Sequence, residues 1–274
     1  MRVCGVWWWW CVRNTTLIHS FIKHTHTYTI YISIYRYRYI IERESSNDDI
    51  MLTHNVTHII PKIRYTQLYG VREREREREI MWRKGAAELG RMIERGETSS
   101  LDMTKYFIDR IERLDGKINS VVVRSFERAL RKAKEADRSK ERKSLIHGVP
   151  ITVKECFWMK NTLSTCGIRD LPHFRDFVAP SDSPIVNVLE EEAGCIIIGK
   201  TNLPEHSADI QTYNRTWGRT NNPWNLGMTS GGSSGGSASS VCAGLSAMCV
   251  GSDIAGSIRI PTSFVGVCGH KPTN

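Results

Sequence analysis

The chain has 274 residues, of which 40% are hydrophobic and 24% charged, with a formal net charge of +9. That length suffices for one or two domains with a sizeable core. The charge is dispersed, +4 over residues 1–80 (12 Lys/Arg against 8 Asp/Glu) and +5 over the rest; without an unbroken Lys/Arg block, it argues against a nucleic-acid-binding arm.

Residues 1–80 do not read as part of a fold. Val6 to Val12 carries four consecutive tryptophans, Thr25 to Tyr39 runs through His-Thr and Tyr-Ile/Tyr-Arg alternations, and Arg72 to Glu79 is a strict Arg-Glu repeat. Such repeats are what simple nucleotide repeats give when translated. Residues 1–85 are therefore read as a low-complexity extension, either disordered or outside the true coding sequence. Val3–Val12 lacks a small-residue cleavage site and is too short to span a bilayer, which needs roughly 20 apolar residues. Tyr28 to Ile41 alternates like a strand but has no obvious partner.

From Ala86 the periodicity becomes ordinary. Ala86–Arg95 reads as a short helix ended by Gly96. Thr98, Ser99 or Ser100 can cap a second helix with Leu101, Met103, Phe107, Ile111 and Leu114 along one face. Gly116 and Ile118–Val123 then suggest a turn and a strand. Ser125–Ser139 follows as a third helix, with Phe126, Ala129, Leu130, Ala133 and Ala136 at helical spacing. Leu145–Val153 reads as a buried strand ending in Lys154, Ile185–Glu192 as a helix, and Ala193–Ile198 as an apolar, parallel-type strand. Strand alternating with helix points to an α/β fold, a mixed sheet with helices on both faces.

The most informative stretch is Thr229 to Asn274. Two small-residue clusters, Gly231-Gly232-Ser233-Ser234-Gly235-Gly236 and Asp253-Ile254-Ala255-Gly256-Ser257, flank the small, apolar segment Ala238–Val250. Glycine lets such a backbone bend sharply or approach a ligand closely. A flexible linker would look like the first cluster alone, but not like the buried-type segment that follows it. The first cluster lacks the Lys-Ser/Thr of a P-loop, no GxGxxG follows a strand, and His206 has no HExxH frame, so neither metal nor organic cofactor is implied. The eight cysteines (4, 11, 156, 166, 195, 242, 249, 268) form no CxxC pair and mostly sit among apolar neighbours, as reduced thiols of a cytoplasmic protein would. His147 and His270 read as structural residues.

GGSSGGSA, followed 24 residues after its first serine by the serine of DIAGSIRIP, resembles the amidase signature family. The segment His147-Gly148-Val149-Pro150-Ile151-Thr152-Val153-Lys154 matches the family's lysine element, and Gly199-Lys200-Thr201-Asn202 and Gly218-Arg219-Thr220-Asn221-Asn222-Pro223-Trp224 match further landmarks. The similarity runs from about Ala86 to Asn274, so 86–274 is expected to be an amidase-signature domain. Relatives continue for roughly two hundred residues past Lys271-Pro272-Thr273. The expectation is thus an N-terminal fragment with a sheet incomplete at its C-terminal side, and an inactive fragment or pseudogene product is one alternative reading.

The resemblance implies amide hydrolysis with Ser257 as nucleophile, Ser233 as proton bridge after a cis peptide, and Lys154 as base. A serine hydroxyl attacks only when its proton is removed, and a lysine can accept it near neutral pH only if burial keeps the amine uncharged. Glu155 is expected on the opposite face, away from Lys154. Backbone amides of Ile254, Ala255, Gly256 and Ser257 are candidate oxyanion donors, with Ser234, Asp253 and Arg259 in support. Ala255 stands where most relatives have Gly, a methyl that fits if φ there is negative. The expected substrate is a small amide, with no nucleic acid, no membrane, and a homodimer for the full-length protein. The wording looks closest to broad bacterial-type amidases and fatty acid amide hydrolases. A glutamyl-tRNA amidotransferase A-like component is the other alternative.

Overall fold

The computed structural model describes residues 81–273 and the backbone of one earlier strand, Ile30–Ser33 (β1). The remaining features of residues 1–80 lie outside the described residues. A 3-10 turn, Met81–Arg83, leads into α1 (Ala86–Glu94), which closes before Gly96 as its sequence foretells. In α2 (Ser100–Ile118) the cap is Ser99, whose Oγ accepts from the Asp102 amide at 2.9 Å. Asp137 adds a second cap from a distant helix, accepting from the Ser100 and Leu101 amides at 2.6 and 3.0 Å. Met103, Phe107 and Ile111 are fully buried, while Leu101 and Leu114 pack at the margin of the core.

Several boundaries differ from the sequence reading. The turn expected at Gly116 falls at Asn119, in the left-handed region (φ 57°). The Asp115 carboxylate moves it there by accepting from the Ser120 amide and hydroxyl and the Val121 amide at 2.6–3.0 Å. Strand β2 is Val121–Arg124, followed by α3 (Phe126–Arg138). Residues 144–148 form a turn instead of strand, with amide bonds from His147 to Ser144 and from Val149 to Ile146, so β3 is only Pro150–Lys154. The helix expected at 185–192 is one turn, Pro184–Asn187, widening into a π turn, Val188–Glu192. Gly194 (φ 71°) then reverses the chain, and β4 runs from Ile196 to Thr201, later than Ala193–Ile198.

After two short antiparallel ribbons, Tyr213–Asn214 with Gly218–Arg219 and Asn221–Asn222 with Asn225–Thr229, come helix α4 (Gly235–Cys242), strand β5 (Met248–Gly251), helix α5 (Arg259–Val265) and strand β6 (Cys268–Gly269). The six-stranded sheet runs β6-β1-β5-β3-β4-β2. Its centre, β5-β3-β4, is parallel, and the other pairings are antiparallel, giving a mixed sheet. The stretch thought to lack a partner therefore finds two, since β1 lies between β5 and β6.

Strand alternation assigns the two faces. Ile151, Val153, Val250 and Ile197 join the larger core with α2 and α3. Cys249 faces a smaller cluster with Ala238, Val241, Ile258 and Val265, contributed by or next to α4 and α5. Close backbone approach is built in here, since a Cβ on Gly236 would lie 2.5 Å from the backbone N and O of Asn202. Among the described residues no helix is long and apolar enough to cross a membrane.

Candidate active site

Because β3, β4 and β5 are parallel, their C-terminal ends meet at one edge of the sheet. Lys154 ends β3, Asn202 follows β4 and Ser252 follows β5. Loops at such carboxyl ends are where open α/β sheets place their chemistry. Lys154 lies on the face that carries Thr152 and Cys249, and this is the side covered by α4. The Gly231–Gly236 turn enters α4 directly above it, with a cis peptide between Gly232 and Ser233.

Lys154 is fully buried, and its Nζ donates to Ser233 Oγ at 2.6 Å and Ser252 Oγ at 3.0 Å. Burial holds its pKa below the ordinary lysine value; the thiols of Cys156, Cys166 and Cys249 and the Asp253 carboxylate act in the other direction. The three thiols cannot supply much negative charge, because burial pushes each of them up, Cys166 to about 12.

Glu155 does lie away from Lys154. Its buried carboxylate accepts from the Thr165 and Cys166 amides. Its field is felt by a second buried lysine, Lys200, which donates to Leu163 O and Ser164 Oγ. Burial lowers Lys200 to about 8 and raises Glu155. In the β3–β4 register Lys200 sits beside Val153, so both groups belong to the sheet face opposite Lys154.

The second serine cluster is organised by Asp253, whose side chain is fully buried. It accepts from the amides of Gly256 (2.7 Å), Ile258 (3.1 Å) and Arg259 (3.2 Å), and from the Arg259 guanidinium at 3.0 Å through both Nε and Nη2. Burial alone would raise this carboxyl, but Arg259 and the three amides outweigh it and hold it well below the usual range.

The Gly256 amide is thus committed to Asp253 and departs from its expected place among the free donors. The amides of Ile254, Ala255 and Ser257 have no acceptor among the described residues, and Ile254 and Ala255 are exposed. Gly256 takes φ 118°, whereas Ala255 keeps a negative φ, so its methyl imposes no backbone strain.

The two clusters are stitched together through Ser234. Its amide donates to Ser257 O at 2.9 Å, its hydroxyl donates to Ser252 O at 3.1 Å, and it accepts from the Ser252 amide at 3.3 Å. Lys154 and Ser233 are in contact; the Ser257 backbone adjoins the same turn, and its half-buried hydroxyl has no hydrogen-bond partner among the described residues.

Two participants escaped the sequence reading. Ser252 looks like an ordinary strand-end serine, and only the β3–β5 register brings it to Lys154. Thr212 donates to Gly231 O at 2.9 Å and accepts from the Gly235 amide at 3.0 Å, spanning the turn that contains Ser233. No local signal marks Thr212.

The sequence model of the Amidase family matches residues 102–274. The A component of the glutamyl-tRNA(Gln) amidotransferase of Marinomonas sp. (strain MWYL1) is 38% identical over 196 residues, 70% of this chain and 39% of that protein. Among solved structures, a 6-aminohexanoate cyclic dimer hydrolase complexed with substrate superposes with a TM-score of 0.61 at 33% identity, over 66% of this chain and 36% of that one. A fatty acid amide hydrolase gives 0.63 at 30% identity, over 68% and 33%. This chain spans about 39% of the length of the curated relative. With the family's sequence model matched over more than half its length and these folds shared, the chain belongs to the amidase signature family.

Proposed function

We propose that the chain carries the reacting groups of an amide hydrolase that works through an acyl-enzyme. Lys154 Nζ takes the Ser233 hydroxyl proton while Ser233 Oγ takes the Ser257 proton, and Ser257 Oγ attacks the amide carbonyl carbon. The proton held on Lys154 returns by the same path to the leaving nitrogen as the C–N bond breaks. Water then repeats the sequence on the ester, releasing the acid and restoring Ser257. The observation that carries this reading is the fully buried Lys154 amine, 2.6 Å from Ser233 Oγ and lowered in pKa by burial. A buried, uncharged amine is what a lysine base requires.

The tetrahedral intermediate places negative charge on the former carbonyl oxygen. The unengaged amides of Ile254, Ala255 and Ser257 are its donors in this reading. Removing one such donor typically costs roughly 3–4 kcal/mol of transition-state stabilisation. Asp253, Arg259 and the Gly256 amide hold the loop in shape, and Ser234 ties it to the Ser233 turn. The substrates proposed are small linear amides. The test is acyl transfer from simple aliphatic and aryl amides to hydroxylamine, read as hydroxamate. Formation by the wild type and its loss in Ser257→Ala and Lys154→Ala is expected; transfer that survives Ser257→Ala rejects the assignment.

A second reading, an amidotransferase A-like role, is favoured by the 38% identity to the A component of a glutamyl-tRNA(Gln) amidotransferase. Ammonia release from glutamine only in the presence of partner proteins would select it.

A further inference from the structure

On the reading that Lys154 is the base, its amine has to be aimed. An uncharged amine has two N–H bonds and one lone pair, and rotation about Cε–Nζ distributes that lone pair over three staggered positions. Only the orientation along the 2.6 Å contact can take the Ser233 proton. A hydrogen bond from one N–H would select this rotamer, and among the described residues Nζ has one other hydrogen-bond partner, Ser252 Oγ at 3.0 Å.

Ser252 is itself held at both its amide and its carbonyl by the Ser234 hydroxyl, and Ser234 in turn holds Ser257 O. The hydroxyl that meets the amine is therefore fixed to the turn carrying the bridge and to the loop carrying the nucleophile. We propose that Ser252 is a positioning residue: its hydroxyl accepts one N–H of Lys154 and so holds the amine lone pair on Ser233 Oγ. After proton transfer the same hydroxyl accepts from the ammonium, which needs an acceptor more than the amine does. The other groups facing Lys154 are the thiols of Cys156, Cys166 and Cys249 and the carboxylate of Asp253, and a Ser252 substitution leaves all four in place.

The test compares the full chain as wild type, Ser252→Ala, Ser252→Thr and Ser257→Ala. The rate of fluorophosphonate labelling is measured against pH, and the Lys154 amine is titrated by 15N NMR with its signal assigned through Lys154→Arg. Ser252→Ala is expected to label about tenfold more slowly, with its acidic limb and its Nζ titration moved to lower pH, because an acceptor that favoured the ammonium is gone. Ser252→Thr restores the rate and both titrations. A residue that merely supports folding would reduce the amount of active protein and leave the limb in place. An unchanged rate and limb in Ser252→Ala overturns the proposal. Should the wild type show no Ser257-dependent labelling, the hydrolase reading fails on that ground. The NMR arm then decides the Ser252 contact: a lowered Nζ titration in Ser252→Ala supports it, and an unchanged one refutes it.

Discussion

Replacing Asp253 with asparagine tests how the nucleophile loop is held, since shape is kept and charge removed. In the native loop Asp253 Oδ2 accepts from the amides of Ile258 and Arg259, and Oδ1 accepts from that of Gly256. Asparagine has one acceptor oxygen, so its best orientation keeps the first two bonds and turns an NH2 toward the Gly256 N–H. Orphaning a buried amide costs about 1–3 kcal/mol, and exchanging two charge-assisted bonds for neutral ones costs about 0.5–1 kcal/mol each. The Arg259 side chain is 57% exposed and regains water, so its share is left out. The sum is about 3 kcal/mol, or a fall in Tm of about 6–12 °C for a domain of this size. Displacement of the Ile254, Ala255 and Ser257 amides should also slow fluorophosphonate labelling by about tenfold or more. Calorimetry and labelling on the same preparation measure both. The native carboxyl, held below its usual pKa, contributes stability that is complete above about pH 4 and is lost on further acidification. Asp253→Asn should therefore lack that acid-sensitive component. Melting within 2 °C of wild type with an unchanged labelling rate would refute the reasoning.

Lys154→Met removes the base while filling the same space, so labelling should fall by about 10²–10⁴. The gain from exchanging a buried amine for an apolar group is opposed by the loss of the buried Ser233 hydroxyl's partner, so Tm should move little. Gly236→Ala drives a methyl into the backbone of Asn202 and should cost about 1–3 kcal/mol in a chemical melt without touching any reacting group. Lys200, lowered to about 8, binds more protons when unfolded than when folded between that value and the ordinary one near 10.5. Wild-type stability should accordingly rise with pH across that window relative to Lys200→Met, by up to about 1.4 kcal/mol per pH unit; parallel profiles would show that the two states bind protons alike.

What the sequence made legible was whatever depends on strand alternation and short-range pattern. Lys154 could be placed at the end of a buried strand, and Glu155 on its other face, because side chains alternate along an extended backbone. Asp253 and Arg259 were named only as supports implied by the resemblance; that they pair with each other is seen in the structure. Boundaries were less legible. The run from Leu145 to Val153 is apolar enough for a strand, but the turn at 144–148 is set by backbone bonds among its own residues. Likewise, Gly116 carries a turn signal that the Asp115 side chain overrides by capping residues 120 and 121. Ser252 was invisible because its contact depends on the register of β3 against β5, with almost a hundred residues between the partners. The Gly256 amide was misplaced because only three-dimensional geometry shows which N–H groups a carboxylate has already taken.

The most direct test of the central claim is the site of covalent capture. The full chain is treated with a fluorophosphonate probe across a range of pH, digested, and the modified residue located by tandem mass spectrometry. The account predicts one adduct, on Ser257, whose rate rises with pH as Lys154 loses its proton and which Lys154→Met slows by about 10²–10⁴. An adduct on another serine, or Ser257 labelling that survives Lys154→Met at an undiminished rate, would contradict it.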